Sequence, residues 1–426
     1  MRKLPRDVAN AVVDSRTYAD YDRLHAILSD IRANKPLAWA EPDDFEPFWF
    51  VSRYEDVKTV SRKNSLFTSG AKQTILMDNG ELAQVKAMTG GSPHHSLDLI
   101  HMDGPQHSKF RQLTQGWFQP ATLRQRDDRL KAVALEFVDR LAALNGRADF
   151  ASDIAFRYPL RVIMQILGVP ADEEPLILKW TLQLFASDDP ELNRTGASSA
   201  HDKHEQLRAQ FAAASEMAAY MGRLREMRIE KPTDDLSSVI ANGMIDGERI
   251  IPALAVAYYM IVATAGHDTT ASSIACGMWA LTQNAELLLK LRRDPALIPG
   301  FVEESVRWAT PVKHFLRSAS ETTELRDQSI TAGDLLMLSY PSANRDESVF
   351  ERPFDFDIER QPNAQIAFGY GGHTCLGQFL ARTEMINFWE VALPRLNYVK
   401  AAGPVRLAAS RLAGGIKSLP IRFEMS

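Results

Sequence analysis

The chain has 426 residues, 45% of them hydrophobic and 24% charged, the mix of a folded globular protein with enough chain for one large core. A formal net charge of −5 argues against a nucleic-acid binder. The two cysteines, Cys276 and Cys375, exclude a disulfide framework and any multi-cysteine zinc or iron–sulfur site, and they suit a reducing cytoplasm.

In chain order, Met1 to Asn10 has no apolar run like that of a signal peptide or a membrane anchor. Phe48 to Ser52 is rich in β-formers and predicts a strand, followed by a short helix over Tyr54 to Arg62. Gly70 to Met102, broken by Gly90, Gly91 and Pro93, predicts a long irregular binding loop. Thr122 and Gln125 have the spacing of a capping box, which would start a helix over Leu123 to Leu144 that stops near Gly146. Helices are also predicted over Tyr158–Leu167, Glu173–Phe185 and Gln206–Ile229, with a polar connection over Asp188–His204. Ile250 to Gln283 predicts one long helix with Pro252 in its first turn. Its apolar section, Ile250 to Gly266, is shorter than the ~20 residues of a membrane span and runs into His267 and Asp268, so a buried helix is expected. Pro299–Ala309 predicts a helix stopped by Pro311, Thr323–Leu338 a small sheet, Pro353–Gly372 an irregular stretch, and Leu376–Leu393 a closing helix. No repeat or linker divides the chain. The expected fold is mainly α with a minor β region, a single large domain over residues 1–426.

In Phe368-Gly369-Tyr370-Gly371-Gly372-His373-Thr374-Cys375-Leu376-Gly377 one cysteine lies among four glycines just before a helix. Glycines permit tight turns and close approach to a flat ligand. A cysteine at a helix N-terminus is expected to have a lowered pKa. On these grounds alone the segment reads equally as a metal-ligating thiolate loop and as a turn around an ordinary buried cysteine. A phosphate loop would need a following Lys-Ser/Thr pair, which is missing. The ten residues, however, resemble the haem-binding signature of the cytochrome P450 superfamily at every fixed position, with His373 where arginine is commoner. The resemblance implies that fold, enclosing haem b (iron protoporphyrin IX), with Cys375 as axial ligand of the iron and His373 on a haem propionate. Cys276, mid-helix among small residues, reads as core.

The second motif is Ala265-Gly266-His267-Asp268-Thr269-Thr270. Asp and Thr are poor mid-helix residues, and buried polar groups need partners, so the pair asks for a reason. A Thr hydroxyl bonded to the preceding turn is the plain one. The segment resembles the family's oxygen-activating turn. By that resemblance Thr269 holds dioxygen and its water beside the haem, and Asp268 relays protons from solvent, because heterolytic O–O cleavage consumes two protons. His267 is read as a polar contact, not a ligand. The retained acid–alcohol pair favours reductive use of O2 over peroxide-driven chemistry.

Glu304 and Arg307 share a helix face, a pair that is most often a solvated contact of little weight. Here they resemble the family's Glu-x-x-Arg motif, which implies a buried trio with Arg360 that positions the cysteine loop. Asp103 to Arg111 resembles the segment that contacts the haem propionates. The resemblance thus assigns His107 and Arg111, with Arg317 and His373, to two carboxylates.

The likeness spans nearly the whole chain and extends to the bacterial branch that includes alpha-terpineol monooxygenase, through Trp117-Phe118-Gln119-Pro120 and Leu338 to Asp346 among others. The loop from Ile75 to Leu99 differs more. Ile261, Thr264, Ala265, Val312 and Phe315 are the expected substrate lining; for Ile261, Thr264, Val312 and Phe315 core packing is an alternative of about equal standing. The implied reaction is hydroxylation of a small hydrophobic substrate, a monoterpenoid or alkyl-aromatic compound, at an aliphatic carbon. Electrons would come from a ferredoxin with its NAD(P)H-dependent reductase, since no flavin or iron–sulfur domain is fused. Lys109 and Arg111 would offer that partner positive charge. The rivals are a peroxide-driven haem enzyme, a haem-based small-molecule sensor, and a helical structural protein with a chance glycine-rich loop.

Overall fold

Pro252, whose missing N–H is no loss in a first turn, opens a 32-residue helix, Pro252–Gln283, around which the others are arranged. The computed structural model describes residues 1–185, 189, 191, 192 and 203–426. The long helix is apolar on most of its circumference, so it is packed on several sides: by Tyr158–Leu167, by Lys203–Glu230 and by Ile298–Ala309. Glycine lets two of these neighbours close in. A Cβ on Gly266 would lie 2.4 Å from Ile163, and one on Gly277 would lie 3.0 Å from Phe301 and from Trp389. Among the described residues no helix is long and apolar enough to cross a membrane.

The β part is mainly one five-stranded sheet. Phe48–Val51 is buried throughout; it pairs antiparallel with Leu37–Ala40 and parallel with Leu335–Ser339. The last strand pairs antiparallel with His314–Ala319, and Phe67–Thr68 closes the edge. In this register Leu338 faces Phe315 and Leu336 faces Arg317, so the two-residue alternation turns Phe315 and Arg317 to one side of the sheet. Leu396–Ala401, Pro420–Met425 and Arg147–Asp149 form a second, smaller sheet.

The mainly α architecture, the strand at Phe48, the long helix and the closing helix all form, the last as Gln378–Arg395. Three local expectations are corrected. The loop over Gly70–Met102 contains a helix, Asn79–Met88, because the Asp78 side chain caps it by accepting from the Glu81 N–H while Leu82 and Val85 are buried. Thr122 does not cap: its hydroxyl donates to Gly116 O from inside the short helix Pro120–Arg124, and the next helix starts at Asp127. Thr323–Leu338 is split between a hairpin, Thr323–Leu325 with Gln328–Ile330, and the strand Leu335–Ser339 of the large sheet. The polar connection expected over Asp188–His204 lies largely outside the described residues.

Candidate active site

The cysteine loop is shaped by its glycines. Gly369 and Gly371 adopt φ of 73° and 74°, a region that favours glycine, and a Cβ on Gly371 would lie 2.4 Å from Ser61 O. The turn is closed by Cys375 N–H donating to Phe368 O at 2.8 Å and Gly369 N–H to Ile366 O at 2.9 Å. The helix begins only at Gln378, and burial pushes the Cys375 thiol up, although the Gly377 N–H, Arg111 and Arg382 pull the other way. This direction is opposite to the lowered pKa expected at this position, because desolvation outweighs those three pulls.

Cys375 lines a large cavity whose other walls come from distant segments. His107, Arg111, Arg317 and His373 gather at it, as expected. The rings of His107 and His373 lie 4.2 Å apart. Burial pushes the Arg111 and Arg317 guanidinium groups down and, with Arg317 and His107 close by, holds His373 down to about 2. Asp103 is 4.0 Å from His373, but its carboxylate is already bound by the Ser69 and Gly70 N–H groups. Four desolvated cationic or potentially cationic groups with so little counter-charge make a site for an anion.

Across the cavity stands the long helix. Ile261, Ala265 and Thr269 line it together with Val312 and Phe315, and Thr74, Leu99 and Ile100 reach it from the Gly70–Met102 segment. The Thr269 hydroxyl donates to Ala265 O at 2.9 Å, which leaves its oxygen free to accept. Two expectations are corrected here. Thr264 points away, buried, and donates to Met260 O at 2.8 Å. Asp268 does not line the large cavity either. It opens with His267 on a separate small one, since neighbours on a helix are turned by about 100°.

Glu304, Arg307 and Arg360 form the expected trio, with Glu304 and Arg307 buried, Arg360 partly buried and its Nε 3.3 Å from Glu304 Oε1. They hold the cysteine loop indirectly: Arg307 donates to the carbonyls of Asn344, Pro353 and Asp355, and Asn344 Oδ1 accepts from Ile366 N–H. Sequence reasoning missed Glu384, a buried acid lining the large cavity from the closing helix, where it meets Thr270. Its near neighbours include the polar Arg382, Thr383 and Asn387, so the local sequence carries no signal of a buried acid. Of the two cations expected to face a partner, Lys109 is exposed and paired with Asp246 at 2.5 Å, and Arg111 faces the cavity. Among the described residues, exposed cations near the cysteine loop include Arg62, over the Tyr370 ring, followed in the chain by Lys63, at the end of the helix whose Ser61 touches Gly371.

Residues 44–397 match the cytochrome P450 family model, and the chain belongs to that family, whose enzymes are monooxygenases that bind haem b and need O2 and a redox partner. Over 99% of its length it is 41% identical to cytochrome P450-terp of a Pseudomonas species, covering 98% of that protein. It is 30% identical to a steroid C26-monooxygenase of Mycolicibacterium smegmatis over 93% of this chain and 90% of the other. The crystal structure of CYP108D1 from Novosphingobium aromaticivorans matches with a TM-score of 0.93 at 39% identity, over 100% of both chains. Mycobacterium marinum CYP268A2 in complex with pseudoionone matches with a TM-score of 0.88 at 31% identity, over 99% of both chains. The residues present fit haem b: a sulfur donor on a glycine-built turn at one wall, and a cationic end suited to two propionates.

Proposed function

We propose that the whole chain, residues 1–426, acts as one catalytic domain that hydroxylates a small apolar molecule of the monoterpenoid or alkyl-aromatic class, with electrons from a ferredoxin and its reductase, in the cytoplasm. The observation that carries this reading is the apolar wall of Ile261, Ala265, Val312 and Phe315, set beside Thr269 and opposite Cys375. The names of two relatives support it: P450-terp is terpene-related by name, and CYP268A2 was crystallised with pseudoionone, an apolar isoprenoid ketone.

Cys375 would hold the haem from the loop side, with the Gly377 N–H donating toward its sulfur. His107, Arg111, Arg317 and His373 would bind the two propionates. Haem b, when bound, supplies the redox centre at which O2 is activated with two electrons. Ile261, Ala265, Val312 and Phe315 exclude water and orient the substrate, while Thr269 presents its hydroxyl to the same space. Asp268 is the candidate proton-relay acid: burial pushes its carboxyl up, against the opposing pull of His267 and Lys313. This acid–alcohol pair favours ferredoxin-dependent turnover over a peroxide-driven reaction. Arg62 and Lys63 offer an acidic ferredoxin positive charge near the cysteine loop.

The test is a titration of the ferric holoprotein with monoterpenes, terpineols and alkylbenzenes, followed through the haem absorption bands. A low-spin to high-spin conversion with one compound supports the substrate class. A thiolate-haem spectrum that none of them perturbs overturns the class and leaves the enzyme family standing.

A further inference from the structure

The small cavity behind the long helix carries a role that its residue types alone do not announce. It is lined by Phe156, Thr181, His267, Asp268, Asp189 and Ser410, among others, and has about 20 Å3, room for an ordered water. His267 is fully buried. Its Nε2 lies 2.6 Å from Phe156 O, a carbonyl, so this nitrogen carries the proton and donates. Nδ1 is then a bare acceptor, and it has no partner among the described residues. A buried acceptor left unsatisfied costs about 1–3 kcal/mol unless water fills the gap. Beside it stands Asp268, the one acid of the oxygen-activating turn, facing this cavity and not the large one.

We propose that this cavity holds the water that loads Asp268 with its proton, and that His267 is the positioning residue: its Nδ1 accepts one O–H of the water and so directs the other O–H toward the Asp268 carboxylate. The inference rests on the reading of Asp268 as the proton-holding acid. The proton balance is simple. Each proton that leaves the carboxyl toward Thr269 is replaced by one from the water, which is replenished from solvent, and His267 keeps its single proton throughout.

The charged surroundings agree. Burial pushes His267 down and Asp268 up, each against the pull of the other. Lys313, from the segment before the strand His314–Ala319, is the cation that favours ionised Asp268. On the opposite wall the Asp189 carboxylate is neutralised by Lys417 Nζ at 2.8 Å and bound by the Ala409 N–H, so it adds little charge of its own.

The test compares His267→Phe, which removes the acceptor, with His267→Gln, which restores one, in the ferric holoenzyme. The carboxylic C=O infrared band of Asp268, assigned by its loss in Asp268→Asn, is followed against pH. In turnover, product formed per O2 consumed is followed over the same range. We expect the Phe variant to move the loss of the band, and the fall in coupling, by about one pH unit or more, and the Gln variant to return both toward wild type. A band and coupling profile in the Phe variant that superimpose on wild type overturn the proposal. If Asp268→Asn keeps full coupling, the reading of Asp268 fails, and the proposal fails with it in its functional part. A band shift in the Phe variant alone would still establish the water contact.

Discussion

The Glu304 carboxylate and the Arg307 guanidinium meet in two parallel bonds, Nε to Oε2 at 2.8 Å and Nη2 to Oε1 at 2.6 Å, with neither side chain exposed at all. Asp357 N–H and Asn363 Nδ2 supply further donors to the same carboxylate, so the pair is fully satisfied where water cannot reach. Glu304→Gln should therefore lower stability by about 3–5 kcal/mol, because it strands a buried guanidinium. Urea unfolding of the variant checks this. A loss below about 1 kcal/mol would show that the surrounding carbonyls already satisfy Arg307.

Gly266 is needed for close packing as much as for chemistry. A Cβ there meets Ile163 Cδ1 at 2.4 Å and Cγ1 at 2.9 Å. Gly266→Ala should cost about 1–3 kcal/mol through overpacking, and Ile163→Val, which deletes the nearer atom, should recover part of it. A thermal-denaturation cycle over the two single variants and the double variant measures the coupling. Additive effects would mean that the long helix shifts instead of Ile163.

Glu384 sets a pH dependence. Burial pushes its carboxyl well above the usual range, only Thr270 opposes this, and Oε2 has no partner among the described residues. A carboxyl raised in the fold contributes stability that is fully present below its unfolded pKa of about 4.3 and is lost as pH rises through the raised folded value. The wild-type melting temperature should thus fall with rising pH more steeply than that of Glu384→Gln as pH climbs above about 4.3. Parallel curves would show that Glu384 is not the group responsible.

Phe315 forms part of the apolar wall and packs edge-on against Tyr340 at 6.4 Å. Phe315→Ala removes contact area worth roughly 1.5–3 kcal/mol, so spin-state titration should show a monoterpene bound roughly ten- to a hundredfold more weakly. Unchanged affinity across the whole ligand panel would remove Phe315 from the substrate site.

Some of this protein was legible in its sequence because the information is local. The glycines around Cys375 announce a turn that other residues do not readily make, and Pro252 and the apolar run after it announce a buried helix. The Glu304–Arg307 spacing places both side chains on one helix face, and the cationic residues near the cysteine signature are recognisable by type. Tertiary structure decided what depends on direction and distance. It brings His107 and His373, far apart in the chain, into ring contact, and it turns Thr264 to its own backbone while Ala265 meets the cavity. It also points Asp268 into a second cavity beside an unsatisfied His267 nitrogen, and it raises the Cys375 thiol where a helix end alone predicts a fall. The reason is the same in each case: desolvation and side-chain facing depend on which remote segments pack against a residue, and no run of neighbouring letters encodes that packing by itself.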